Sequence, residues 1–411
     1  MHDASLTRDS AAARQGSPQV LADTLRASRA DTLSTFAAYE RALPGLRVPL
    51  RSELNPPLWE LGHIGWFQEY WIDRNPERRR GPLADPDAPR GPSLRPGADG
   101  LYNSSRVPHD SRWKLALPDA AATRDDLARQ LDRSLSLLQH ADAGDNALYF
   151  YRLALLHEDM HHEAALYMAR GLGIRIDDER WNPRPLPDAP APLTVSEQVW
   201  PLGRATGGGF VFDNEAPGLE TRLASFCIDV QAVRWNEYLP FVETGGYGQP
   251  RYWSDAGARW LASQTEPGPR YLRRRDGGWQ QWRSGRWQAL NPAEAACHLT
   301  LHEAEAWCRW AGRRLPSEVE WEVAAHAARS RGFRWGEVWE WTGTTFRGYP
   351  GFEPAPDRDW SAPDFASDVV NCKVMRGASF ATRARLKHPK LRNWAQPDED
   401  AGFVGFRSCA F

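Results

Sequence analysis

The stretch PRPLPDAPAP at 183–192 divides the chain into two textures and limits what it can fold into. Proline fixes φ and withholds a backbone donor, so this stretch reads as an extended linker between residues 1–185 and 193–411. Before it, apolar residues recur at helical spacing. After it, short apolar runs alternate with glycine, proline and asparagine clusters, such as GGGF at 207–210 and DGGW at 276–279. Fifteen of the twenty tryptophans lie at or beyond Trp200, so the halves differ in composition as well as in period.

The first half predicts four long helices. Val20–Ala42 is rich in Leu and Ala with no internal proline. Pro56-Pro57 precedes LWELGHIGWFQEYWIDR, with Leu58, Leu61, Ile64 and Trp71 at helical spacing. Leu127, Leu131, Leu135 and Leu138 repeat the pattern between Asp119 and His140. The fourth helix runs from about Asn146 to Leu172, where Gly173 can stop it. Four such helices form an antiparallel bundle most simply. The interruption from Asn75 to Trp113 is too long for an ordinary loop and reads as functional or disordered. The second half predicts a mixed α+β domain with few long elements: one helix at Leu301–Gly312 and another near Ser317–Ala327.

HEDMHHE at 157–163 carries the chemistry. His157 and His161 are one helical turn apart, so both imidazoles lie on one face and can chelate one ion. For such a pair taken alone, a polar surface face is the more ordinary explanation. His63, among Trp59, Trp66 and Trp71 on another helix, is by itself more readily a satisfied core histidine than a ligand. Together the three offer neutral nitrogens from facing helices, a set that zinc or iron(II) accepts. His162 is turned ~100° from His161 and reads as structural. Glu158 and Glu163 are either acceptors supporting the ligands or solvated charges, the second being favoured.

The spacing L-x-x-x-x-H, then about 90 residues later H-E-x-x-H-x-E, resembles the DinB-like helical domain of the ergothioneine sulfoxide synthases. The second half resembles the formylglycine-generating-enzyme fold, related to C-type lectins, that those synthases carry. The matching stretches are FDNEAPG (212–218), WNEYLPFVETGGY (235–247), HEAEAWCRWAGRRLPSEVEWEVAA (302–325), WGEVWEWT (335–342), YPGF (349–352), VMRGASFAT (374–382), RNW (392–394) and GFR (405–407). The resemblance implies an N-terminal four-helix bundle holding Fe(II) on His63, His157 and His161. It also implies the substrates hercynine, a thiol and O2, and a hercynine contact from Asn393 and Trp394.

Three positions depart from the family pattern. Phe346 stands where these synthases carry a proton-donating tyrosine, so no acid is assigned. Met160 replaces a glutamine that helps hold hercynine, and Ala395 replaces an aspartate that helps hold the cysteine-containing donor. All three changes fall around the chalcogen donor while the metal ligands stay. They resemble selenoneine synthase, which joins a selenosugar to hercynine. Tyr102, Asn103, Ser104, Ser105, Arg106, His109 and Asp110, in the polar loop LYNSSRVPHDSRW at 101–113, are expected to hydrogen-bond sugar hydroxyls if that loop is not simply solvated. The alternative is an ergothioneine- or ovothiol-type synthase forming a C–S bond from hercynine or histidine.

Other classes fit less well. Formylglycine generation needs paired reactive cysteines, and Cys372 and Cys409 lack that setting. A zinc thiol transferase needs no large second domain. A lectin-like binding module does not need the three histidines. Net charge −2 and pI about 6.6 give no footprint for nucleic acid or an anionic membrane. Neither a secretory signal nor a spanning segment is evident, and five scattered cysteines without a CxxC pair fit reduced thiols in a cytoplasm.

Overall fold

A computed structural model describes residues 2–188, 190–205, 207–357 and 371–411. Its first part is helical. α1 (His2–Gln15) and α2 (Pro18–Ala42) meet at Ser17, whose hydroxyl accepts from the Val20 N–H and caps α2. α3 (Pro57–Gln68) begins on a proline, whose missing N–H costs nothing at that position, and runs on into a wider turn at Glu69–Asp73. After a short helix, α4 (Ala98–Tyr102), come α5 (Ala120–Gln139) and α6 (Asp145–Leu172). Asp119 caps α5 by accepting from the Ala122 N–H, a contact worth ~1 kcal/mol. Gly173, at φ 72°, ends α6 as expected. Helices α2, α3, α5 and α6 pack as the four-helix bundle, with α1 as an unforeseen addition.

The second part holds short strands and helices. In order they are β1 (Leu193–Val195), β2 (Gln198–Leu202), β3 (Leu219–Leu223), β4 (Phe226–Ile228), α7 (Trp235–Glu243) and α8 (Asp255–Ala262). Then come β5 (Leu272–Arg275), β6 (Gly278–Arg283), β7 (Arg286–Ala289), α9 (Leu301–Trp310), α10 (Glu318–Ala327), β8 (Trp339–Thr345), β9 (Lys373–Arg376), β10 (Asn393–Ala395) and β11 (Val404–Gly405). α9 and α10 were anticipated, and each opens with a capping box, Thr300 with Glu303 and Ser317 with Glu320. α7 and α8 were not: nine and eight residues give too few turns for the apolar period to stand out.

The sheet that matters for the site has the order β10-β9-β8-β11. β9 runs antiparallel to β8 and β10, while β11 runs parallel to β8. This places Asn393 opposite Met375 and Trp394 opposite Val374.

The two parts share one core. Trp59, Phe67 and Leu153 of the bundle belong to the same apolar cluster as Trp339, Trp341, Leu391 and Phe406. The proline-rich stretch is extended but docked: Leu186 is buried, its N–H donates to the Ala293 carbonyl, and Gln231 and Arg234 hold the Pro187 carbonyl. Within it, Ala189 lies outside the described residues. Among the described residues, no helix is long and apolar enough to cross a membrane.

Candidate metal centre

α6 presents His157 and His161 one turn apart, with ring centroids 4.4 Å from each other. α3 places His63 opposite, 5.0 Å from His157 and 4.8 Å from His161. Candidate ligand atoms of the three lie within 4.8 Å of one another, the one such group among the described residues.

Each imidazole is oriented by a different partner. The Nδ1–H of His63 donates to the Tyr102 carbonyl at 2.8 Å, which leaves Nε2 with the lone pair. That carbonyl arrives because Gly62 has no side chain: a Cβ there would sit 2.3 Å from the Tyr102 ring. The Nδ1–H of His161 donates to Glu60 Oε2 at 2.7 Å, again leaving Nε2 free. His157 lies flat on Phe67 at 3.6 Å, and its Nδ1 is buried with no hydrogen-bond partner in the protein.

Electrostatics keep His63 and His157 neutral. Burial, helped by His161, lowers the His63 pKa to about 3, and burial holds His157 well below the usual imidazole range. Both therefore carry lone pairs at neutral pH. Burial raises the Glu60 carboxyl, but His161 reverses this and leaves it below its ordinary value, so it stays an anionic acceptor. Three imidazole nitrogens, an orphaned polar atom among them and no carboxylate in the donor set fit a divalent transition metal with positions open towards a cavity. Glu60→Gln is expected to lower metal affinity by ~10–100-fold in a chelator competition, because it removes the charge that makes His161 a strong donor.

The cavity holds about 550 Å³ and lies where the bundle meets the β10-β9-β8-β11 sheet. Leu153, Met160, Ala164 and Tyr167 continue the histidine face of α6 along one wall. Asn393, Trp394 and Ala395 of β10 line it from the other side, so four of the residues singled out for substrate, with Met160, meet around the three histidines. Phe346 stands one layer back, stacked behind Trp394 at 5.8 Å. Tyr102, Asn103 and Arg106 do not line the cavity. Tyr102 is buried beneath His63, Asn103 spends its side-chain oxygen on the Ser105 N–H, and Arg106 is exposed. Of the polar groups expected from that loop Ser104 does line the cavity, joined by Arg112, which was not among them.

The acidic residues of the motif are not solvated. Glu158 is buried against Arg29, and Glu163 accepts from Trp339, Ser379 and Thr382 of the second part. α6 is covered on nearly every side, so charges that look solvated in sequence become internal partners. His162 turns away from the cavity to Thr35 Oγ1, at 3.0 Å, as its offset implied. Sequence reading missed Glu60, Asn55 and Arg112. Glu60 lies one turn before His63 on α3 but serves His161 on another helix, a pairing that no spacing along one segment reveals.

Residues 188–337 and 334–410 match the family model described as sulfatase-modifying factor enzyme 1-like domain. A hercynine oxygenase of Mycolicibacterium smegmatis is 30% identical over 455 residues, covering 95% of this chain and 98% of its own. One from Mycolicibacterium thermoresistibile is 28% identical, covering 86% and 87%. A formylglycine-generating enzyme of Streptomyces coelicolor is 30% identical over 148 residues, covering 33% of this chain and 47% of its own.

Proposed function

The chain belongs to the hercynine oxygenase family, and on that premise we propose that it joins the selenium of a selenosugar to the imidazole carbon of hercynine, using dioxygen and iron(II) held by His63, His157 and His161. Iron(II) bound there supplies dioxygen activation and a position for a soft chalcogen ligand. Coupling a chalcogen–H to an imidazole C–H and adding one oxygen atom to the chalcogen uses one dioxygen and releases one water.

The residues of the cavity support the pairing of substrates. Trp339 and Trp394 offer aromatic faces to a trimethylammonium group, an attraction worth ~0.5–2 kcal/mol per good contact. Asn393 adds a polar partner, and the thioether of Met160 adds a polarizable surface beside the ligands.

The observation that carries the selenosugar reading is charge. Among the described residues lining the cavity, Arg112 is the one Lys or Arg side chain, against Glu53, Glu163, Asp357 and Glu399. Hercynine brings one carboxylate, which one guanidinium satisfies. γ-Glutamylcysteine brings two more carboxylates, and a buried carboxylate without a cation is costly. A neutral polyhydroxylated donor needs no further cation. The five free cysteines fit a reducing compartment, and so a cytoplasmic setting.

The test is a competition. Protein loaded with iron(II) without air receives hercynine, dioxygen and equal amounts of a selenosugar and γ-glutamylcysteine. Mass spectrometry is expected to find the hercynyl–selenium adduct in excess. A hercynyl–sulfur adduct in excess returns the chain to C–S bond formation.

A further inference from the structure

We propose that a substrate carboxylate seated on Arg112 tightens metal binding at the three histidines through a hydrogen-bond relay, so that substrate and metal reinforce each other. This rests on hercynine as the substrate.

The relay is continuous. Arg112 Nη1 donates to Asn55 Oδ1 at 2.8 Å. Asn55 Nδ2 donates to Glu60 Oε1 at 2.6 Å. Glu60 Oε2 accepts from His161 Nδ1 at 2.7 Å. A second route runs through rings. The Arg112 guanidinium sits 3.7 Å from the Trp59 ring, and Trp59 stacks on His63 at 4.8 Å with the planes 9° apart. Arg112 thus touches the supports of two ligands while facing the cavity. Its Nε is buried with no hydrogen-bond partner, and no carboxylate of the described residues forms an ion pair with it.

The sign follows from the charges. With no anion on Arg112, its charge polarises the Asn55 amide, which donates more strongly to Glu60 and draws density from that carboxylate. Glu60 then holds the His161 Nδ1–H less strongly, and Nε2 is a poorer donor. The guanidinium also adds positive charge beside the place of a dication. A carboxylate on Arg112 cancels both effects. By linkage the coupling is reciprocal: metal must tighten hercynine binding by the same factor.

The experiment measures cobalt(II) affinity of the full chain by chelator competition, with and without saturating hercynine. Hercynine is expected to tighten cobalt(II) about fivefold or more in the unaltered protein, within the usual range of such couplings. In Asn55→Ala the gain is expected to fall below about twofold while calorimetry still detects hercynine binding. Arg112→Met, which removes the same relay at its other end, is expected to lose both the gain and much of the hercynine affinity. A gain undiminished in both variants, or none in the unaltered protein, overturns the relay and leaves the proposed substrate standing. Hercynine that does not bind at all overturns both.

Discussion

Alanine at His157 is expected to lower metal affinity by more than about 100-fold, beyond the ~10–100-fold typical of losing a supporting partner, and to abolish turnover with it. The metal-free protein should barely notice. His157 is buried with an orphaned Nδ1, so the packing lost against Phe67 is offset, to within ~1 kcal/mol, by removal of an unsatisfied polar atom. The signature is therefore divided. The Tm of the metal-free variant stays near that of the parent, while the rise in Tm that added metal gives the parent disappears, because ligand-linked stability depends on affinity. Alanine at His63 or His161 should give the same loss of binding, but each frees a partner, the Tyr102 carbonyl or Glu60. A His157→Ala protein that still gains stability from metal removes that residue from the ligand set.

The second large effect lies two residues along the same helix. Asp159 is buried and accepts from Ser28 of α2 at 2.7 Å and twice from Arg385 of the second part at 2.6 Å. Asp159→Ala leaves the Arg385 guanidinium buried beside Arg383 without its carboxylate. Breaking one side of such a pair costs about 3–5 kcal/mol, which urea denaturation resolves easily. The pair joins the helix that carries two of the three clustered histidines to the part that closes the cavity, so the loss should also weaken substrate binding. The double variant Asp159→Leu with Arg385→Met is expected to recover most of the stability, since no charge then remains buried alone. A single-variant change under ~1 kcal/mol shows that Arg385 finds water or another partner instead.

These effects indicate what the sequence makes readable. His63, His157 and His161 were legible because two sit at helical spacing and the third is embedded in a strongly apolar helix. The four long helices were legible for the same reason: each is long enough for its period to show, and their ends carry Ser17, Asp119 and Gly173. What failed depends on how elements meet. Glu60 supports a histidine on a different helix, and Tyr102 acts through its backbone carbonyl, which no side-chain pattern announces. Glu158 and Glu163 read as solvated because the sequence does not show that Arg29 of α2 meets the first and the second domain covers the second. Strands such as β10 and β11, three and two residues long, are shorter than any alternation that could reveal them. Asn393 and Trp394 were found through resemblance rather than pattern.

The proposed coupling of a chalcogen to hercynine with dioxygen requires a redox-active metal on the three histidines. The most direct test loads one preparation with iron(II) and another with zinc(II), without air. Both then receive hercynine, a selenosugar and dioxygen, and mass spectrometry reads the products. Only the iron-loaded protein should yield a hercynyl adduct, with dioxygen consumed in proportion. An adduct formed equally well by the zinc-loaded or metal-free protein rules out a redox role for the bound metal.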